Sequence, residues 1–309
     1  MAESLDTPHS PNRVVTPSIL IFLTSWRLDI VTVVALVIAA ALYGAGVVSL
    51  ARRDIHWPIR RTLFFFLFGL GSFSFVNLGF FGVWNQDLRY AFTTRIALLL
   101  FAVPGLISLG APITLSRLVL SGLPLRVMDA VLQSLPVRIF GNAIFAPLFA
   151  LAAFCVFLTP LSGTLRESSV AASFITVLVP LVGLLMVLPI VERTTQRASF
   201  YITVEFMLVF VELVMDAIPA IFIRLNDNIL DHIGPVAGAL PSWFPAVLRD
   251  QQLSGDFLWF IAEVADVPIL ILLFIRWSKV DKKEAKSLDD LSDEEMEALT
   301  ADHLRSRRD

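Results

Sequence analysis

Seven stretches of this chain are long and apolar enough to cross a lipid bilayer, and no other feature constrains its fold as much. They run at about 30–50, 62–84, 96–116, 139–160, 170–191, 201–223 and 257–277. About 20 apolar residues cross the hydrocarbon as a helix. Within lipid every backbone polar group must be satisfied inside the protein, which leaves helices or closed barrels. These runs are too long and too evenly apolar for barrel strands. The expected fold is therefore all-α, a polytopic membrane protein built as a bundle of seven transmembrane helices. Hydrophobic residues make up 56% of the chain and charged ones 17%, a balance unlike that of a soluble domain.

The charges divide the chain. Lys and Arg concentrate on one side of the spans, at Arg52, Arg53, Arg60, Arg61, Arg117, Arg126, Arg138, Arg193, Arg197, Arg276, Lys279, Lys282, Lys283 and Lys286. The other side holds Arg13, Arg27, Arg89, Arg95, Arg166, Arg224 and Arg249. By the positive-inside rule the first side is cytoplasmic, so the N-terminus is outside and the C-terminus inside. Three segments follow: a polar N-terminal stretch at 1–28, a transmembrane domain at 29–278 and a charged cytoplasmic tail at 279–309. The start MAESLDTPHSPNR carries acids and is not a cleavable signal peptide. Residues 117–138 hold apolar side chains at helical spacing but are too polar to span, so they read as an interfacial helix. In the outer loop 224–256, Trp243 and Phe244 are expected at the headgroup level. Ser292 followed by Glu295 is a capping-box pattern that predicts a short helix in the tail.

Acids inside the spans are the most informative polar residues. Glu205, Glu212 and Asp216 lie in the sixth run at spacings of seven and four, so at about 100° per residue they share one helix face. Glu263 and Asp266 lie in the seventh run, three apart and again on one face. A carboxylate in hydrocarbon is costly and usually faces a protein interior or a water-filled cavity. At a rise of 1.5 Å per residue, Asp216 and Glu263 sit about 10 Å below the outer surface, and Glu212 and Asp266 about 15 Å below it. If the two helices are neighbours the acids meet, and one is protonated or a cation lies between them. Alternatively they bond to backbone, Asn77 or Asn142 and lock the bundle. Arg95 and Arg224, at the outer ends of spans three and six, are the candidate counter-charges.

The ligand inventory is thin. His9, His56, His232 and His303 all fall in loops or tails, which excludes an intramembrane imidazole site made by this chain alone. The one cysteine, Cys155, cannot form an internal disulfide or a CxxC site. Met186, Met207 and Met215 read as packing. No phosphate-binding loop, Ser-His-Asp set or basic nucleic-acid patch is present, so neither soluble enzyme chemistry nor nucleic-acid binding is expected.

The order of several weak motifs is more specific than any one of them. YGAGVVSLARRDIHWPIRR at 43–61 links two spans, LISLGAPITL at 106–115 places Gly-Ala-Pro in a span, and FLTPL at 157–161 closes the fourth. LRDQQLSGDFLW at 248–259 then precedes the last span and WSKVDKKEAK at 277–286 follows it. Together they resemble the CtaG-type cytochrome c oxidase assembly factors in their actinobacterial form. The resemblance implies a multi-pass protein of the bacterial plasma membrane linked to copper delivery on the outer side. It also implies a His-x-x-x-His pair at the outer start of the third span, where this chain has Phe92 and Ile96. Further family histidines fall at Ala172 and Leu178, and at Asp216 or Pro219. Asp250, Gln251, Gln252 and Glu263 match the family pattern at the outer mouth.

These readings give a CtaG-like, non-catalytic assembly protein for the oxidase whose copper site is degenerate, so that no cofactor is expected. The chain would touch lipid and oxidase subunits or another membrane protein. The alternatives are a proton or cation transporter using the acids of spans six and seven, and a structural scaffold for another membrane protein. With the metal ligands gone, Arg95 is expected to supply the missing positive charge by pairing with Glu263 or Asp216.

Overall fold

The computed structural model describes residues 17–141, 145–191, 199–232 and 241–289. Among the described residues the structure is all-helical, with no strand. A short helix α1 (Ile19–Thr24), capped by Ser18, leads into α2 (Ile30–Ala51). Asp29 caps α2, its carboxylate accepting from the Thr32 backbone N–H at 2.8 Å and from the Thr32 hydroxyl at 2.6 Å. Next come α3 (Ile59–Trp84) and α4 (Arg89–Ser108), which widen into π-type turns at Phe64–Leu70 and Leu98–Ala102.

Three short helices replace the single interfacial helix expected at 117–138: α5 (Pro112–Val119), α6 (Leu123–Leu132) and α7 (Leu135–Phe140). The third span also ends earlier than its hydropathy implied. Ala111 adopts a left-handed conformation with φ of 49°, and Pro112 opens the next helix, so Gly110-Ala111-Pro112 is a break between helices, not part of a span. A proline disfavours helical backbone in the residue before it. Tyr43 fixes this break by donating to the Gly110 carbonyl at 2.8 Å while its ring stacks on Phe65 at 3.8 Å.

Beyond the break, α8 (Phe145–Cys155) runs through a tight turn at Val156–Leu158 and meets α9 (Leu161–Glu167) at a bend of 83°. The chain closes with α10 (Ser169–Val191), α11 (Ser199–Leu225) and the long α12 (Val247–Asp289). Among the described residues four helices, α2, α3, α4 and α10, are long and apolar enough to cross a membrane, or five if the bent α8–α9 pair is one span. This is a multi-pass membrane protein. Asn142 and the predicted tail helix lie outside the described residues.

Burial orders the bundle. The apolar window of α2 is 17% buried and that of α4 is 67% buried, so α2 is peripheral and α4 central. Helices α3, α10 and α12 all pack against α4, while α11 and α12 pack along each other. Lipid tails are as apolar as leucine, so close packing, not hydrophobic expulsion, holds such helices together. Two glycines show it: Gly183 of α10 lies on the Leu100 carbonyl of α4, and Gly255 of α12 on the Ala220 carbonyl of α11. At one end an aromatic cluster gathers Phe22, Phe75, Phe80, Phe81, Trp84, Trp243 and Phe244, with Trp243 edge-on to Trp84 at 5.2 Å. Trp243 and Phe244 thus pack onto protein.

Candidate functional site

The first turn of the central helix has no cap of its own, since Leu88 offers no side-chain acceptor. The orphan N–H groups there need partners. Asp250, in the first turn of α12, supplies them: its carboxylate accepts from the backbone N–H of Arg89 at 2.9 Å and of Tyr90 at 3.1 Å. The same carboxylate lies 3.4 Å from the Arg89 guanidinium. Burial pushes the Asp250 carboxyl above its ordinary value. The two backbone N–H bonds and the guanidiniums of Arg89 and Arg166 pull it back.

Arg89 reaches further. It donates to one oxygen of Asp231 at 2.6 Å, and Arg166 donates to the other at 3.0 Å. A second nitrogen of Arg166 donates to the Gln86 carbonyl at 2.8 Å. Asp231 is held in reach by Gln251, whose amide accepts from the Leu230 N–H at 2.8 Å and donates to the Asn228 carbonyl at 2.9 Å. Two guanidiniums and two carboxylates thus meet in one buried cluster that joins α4, the bent α8–α9 pair, the 226–232 loop and α12. The formal charges cancel, and this lets the cluster exist away from water. A buried ion pair adds little net stability, since desolvation offsets the attraction, but losing one partner is expensive.

Beside the cluster is a cavity of about 20 Å³ lined by Arg89, Thr93, Ser162, Arg166, Asp231 and Ser254, with Phe92 and Phe157 on its apolar wall. That is room for about one water molecule. Copper(I) takes thiolate, thioether or imidazole ligands. A guanidinium has no lone pair to give and repels a cation. The residues around this cavity do not fit a copper ion.

Phe92, at the position the resemblance gave to a first histidine, is buried against Phe157, and Ile96 packs on the same core. Asp250 and Gln251 form part of the cluster. Gln252 accepts from Arg249 at 3.4 Å near the surface. Arg224 pairs with Asp256 at 2.8 Å, with both side chains about two-fifths exposed. The side chains of Glu205, Glu212, Asp216 and Asp266 lie outside the described residues.

Arg95 is buried; of the two acids expected beside it, it does not meet Glu263, and the Asp216 side chain lies outside the described residues. Its Nε and Nη2 donate to the Asn77 side-chain oxygen at 3.1 and 3.0 Å, and Nη2 donates to the Thr176 hydroxyl at 2.6 Å. Asn77 is held in that orientation by its own donation to the Phe73 carbonyl at 3.0 Å. The reason is direction: Arg95 faces α3 and α10, whereas Glu263 accepts from the Trp259 indole at 2.5 Å on α12 itself. Replacing Asn77 by Leu removes the acceptor from two charged N–H groups, and a loss of about 2–3 kcal/mol is expected. Unfolding in detergent would measure it, and Arg95→Met should cost less, because the charge and its desolvation leave together.

Arg89, Arg166 and Asp231 were not singled out by the sequence. The two arginines read as ordinary outer-side cations and the aspartate as a loop residue. No spacing rule links positions so far apart along the chain.

A family model described as cytochrome c oxidase caa3 assembly factor matches residues 41–280, most of the chain. The chain belongs to the caa3 assembly-factor family. The matched range includes Asp250 and Gln251 of the buried charge cluster. It is also similar to proteins of three mycobacteria. Uncharacterized protein Mb0105 of Mycobacterium bovis and Uncharacterized protein MT0111 of Mycobacterium tuberculosis are each 25% identical over 92% of this chain and 45% of their own length. Uncharacterized protein ML1998 of Mycobacterium leprae is 22% identical over 87% of this chain and 42% of its own. This assembly-factor homologue therefore spans less than half the length of these relatives. No solved structure matches it.

Proposed function

We propose that the chain is a non-catalytic assembly factor for a cytochrome c oxidase in the bacterial plasma membrane, acting by contact with other membrane proteins and not through resident copper. In this reading it has seven spans, with α11 and α12 among them, an outside N-terminus and a cytoplasmic C-terminus. The observation that carries the copper-free part is the donor set at the outer end of α4. Where the resemblance implies imidazoles, a phenylalanine closes a cavity whose polar wall is two arginines, an aspartate, a glutamine and three hydroxyls, none of them a soft ligand. Such a centre positions helices and leaves no seat for a soft metal.

Two measurements test the reading together. Deleting the gene in its host should lower oxidase activity in membranes several-fold, and added copper should not restore it. The purified chain should hold copper far below one ion per molecule. Normal oxidase in the deletion strain would remove the assembly role. Stoichiometric copper, lost in Glu212→Gln or Asp216→Asn, would restore a metal role.

A further inference from the structure

Glu263 stands apart from the other described charges of α12. Arg224 and Arg249 are the nearby cations of this surface, and both turn to Asp256, at 2.8 and 3.7 Å. That pair of contacts marks a half-exposed polar level. Glu263 lies seven residues further along, about 10 Å deeper at helical rise. Its carboxyl is half-exposed, and its one described hydrogen bond comes from the Trp259 indole of its own helix. No cation among the described residues is within ion-pair distance of it.

Around it the surface is apolar. Phe260, Val264, Val267, Ile271 and Phe274 are all exposed, and their spacing is four, three, four, three. Among the described residues this heptad seam is covered only at its end, where Phe274 meets Phe206 of α11 at 6.3 Å, and Glu263 sits on its flank, where paired helices place the charges that select a partner. An apolar seam alone does not draw helices together in lipid; close packing and a polar contact do. A carboxyl group open to hydrocarbon costs several kcal/mol unless something meets it.

We propose that this edge of α12 docks a transmembrane helix of another membrane protein, one that brings a Lys or Arg side chain to the depth of Glu263. A lipid amine is disfavoured, because headgroups stay at the level of Asp256, a full two turns away. The proposal builds on the assembly reading by naming the face a client would use.

The test places a photoreactive phenylalanine analogue at Val264 or Val267 of the full-length chain in native membranes, with Val37 of α2 as a lipid-facing control. One discrete protein adduct is expected from the α12 positions and none from Val37. Glu263→Gln should reduce the adduct at least several-fold while leaving the amount of chain in the membrane unchanged. The adducted protein, identified by mass spectrometry, should carry a basic residue in the crosslinked span. Exchanging charges, Glu263→Lys here and an acid in place of that base there, should restore the adduct. Lipid adducts only, a second copy of this chain as partner, indifference to Glu263→Gln or failure of the charge exchange would each overturn the proposal. The two readings fail separately. A partner that obeys the exchange while the deletion strain keeps normal oxidase upholds the edge and removes the assembly role. Loss of oxidase on deletion, with full function in Glu263→Gln and no adduct, does the reverse.

Discussion

Asp231→Ala is expected to destabilise the protein by about 3–5 kcal/mol, the range for breaking a buried ion pair from one side. The single carboxylate serves Arg89 at 2.6 Å and Arg166 at 3.0 Å, and both guanidiniums are buried, so the variant takes this carboxylate from two cations at once and leaves Arg89 the longer contact to Asp250 at 3.4 Å. Asp231→Asn keeps one acceptor oxygen and should lose less. Thermal unfolding in detergent, followed by intrinsic fluorescence, would order the two variants. The double variant Asp231→Leu, Arg166→Met should recover much of the loss, because it removes one cation with one carboxylate and leaves Arg89 beside Asp250. A double variant no better than Asp231→Ala alone would mean the cluster contributes through its hydrogen bonds to backbone, not through charge balance.

The second large effect concerns the contact of α10 with α4. A Cβ on Gly183 would run into the Leu100 carbonyl oxygen and come within 2.6 Å of Pro104 Cγ. Both are fixed parts of a helix, so the neighbour cannot move aside as a flexible side chain would. Gly183→Leu should force the helices apart and cost at least about 3 kcal/mol, at the upper end for overpacking. Loss of folded protein on size exclusion and in a protease-resistance assay is the expected readout. Gly105→Ala, in the same central helix but with open space at the Cβ position, serves as the control and should be tolerated.

What the sequence made legible follows from what its signals measure. Run length and hydropathy report what lipid demands of a segment, and they placed α2, α3 and α10 to within a few residues, whereas the run at 96–116 is displaced by seven to eight residues from α4 (Arg89–Ser108). They could not see the end of α4, because Gly110-Ala111-Pro112 is apolar and its left-handed turn is a backbone event. Charge arithmetic reports which groups need company but not who supplies it. It sought an acid for Arg95, whose described acceptors are the neutral Asn77 and Thr176. Asp250 and Gln251 emerged through motif order, without their role. Arg89, Arg166 and Asp231 stayed hidden because a loop aspartate becomes notable only when two distant arginines arrive beside it.

The Asp250 contact has one further consequence, for biogenesis. The carboxylate that finishes the first turn of α4 is 161 residues downstream of Arg89. A ribosome delivers α4 into the membrane long before α12 exists, so the innermost rod of the bundle is inserted with its leading amides unclaimed. Its registration is secured only when the last segment arrives, and closing so long a loop is slow compared with local helix formation. A nascent chain cut short before Val247 would therefore leave the middle of the molecule, not its edge, as the unfinished part.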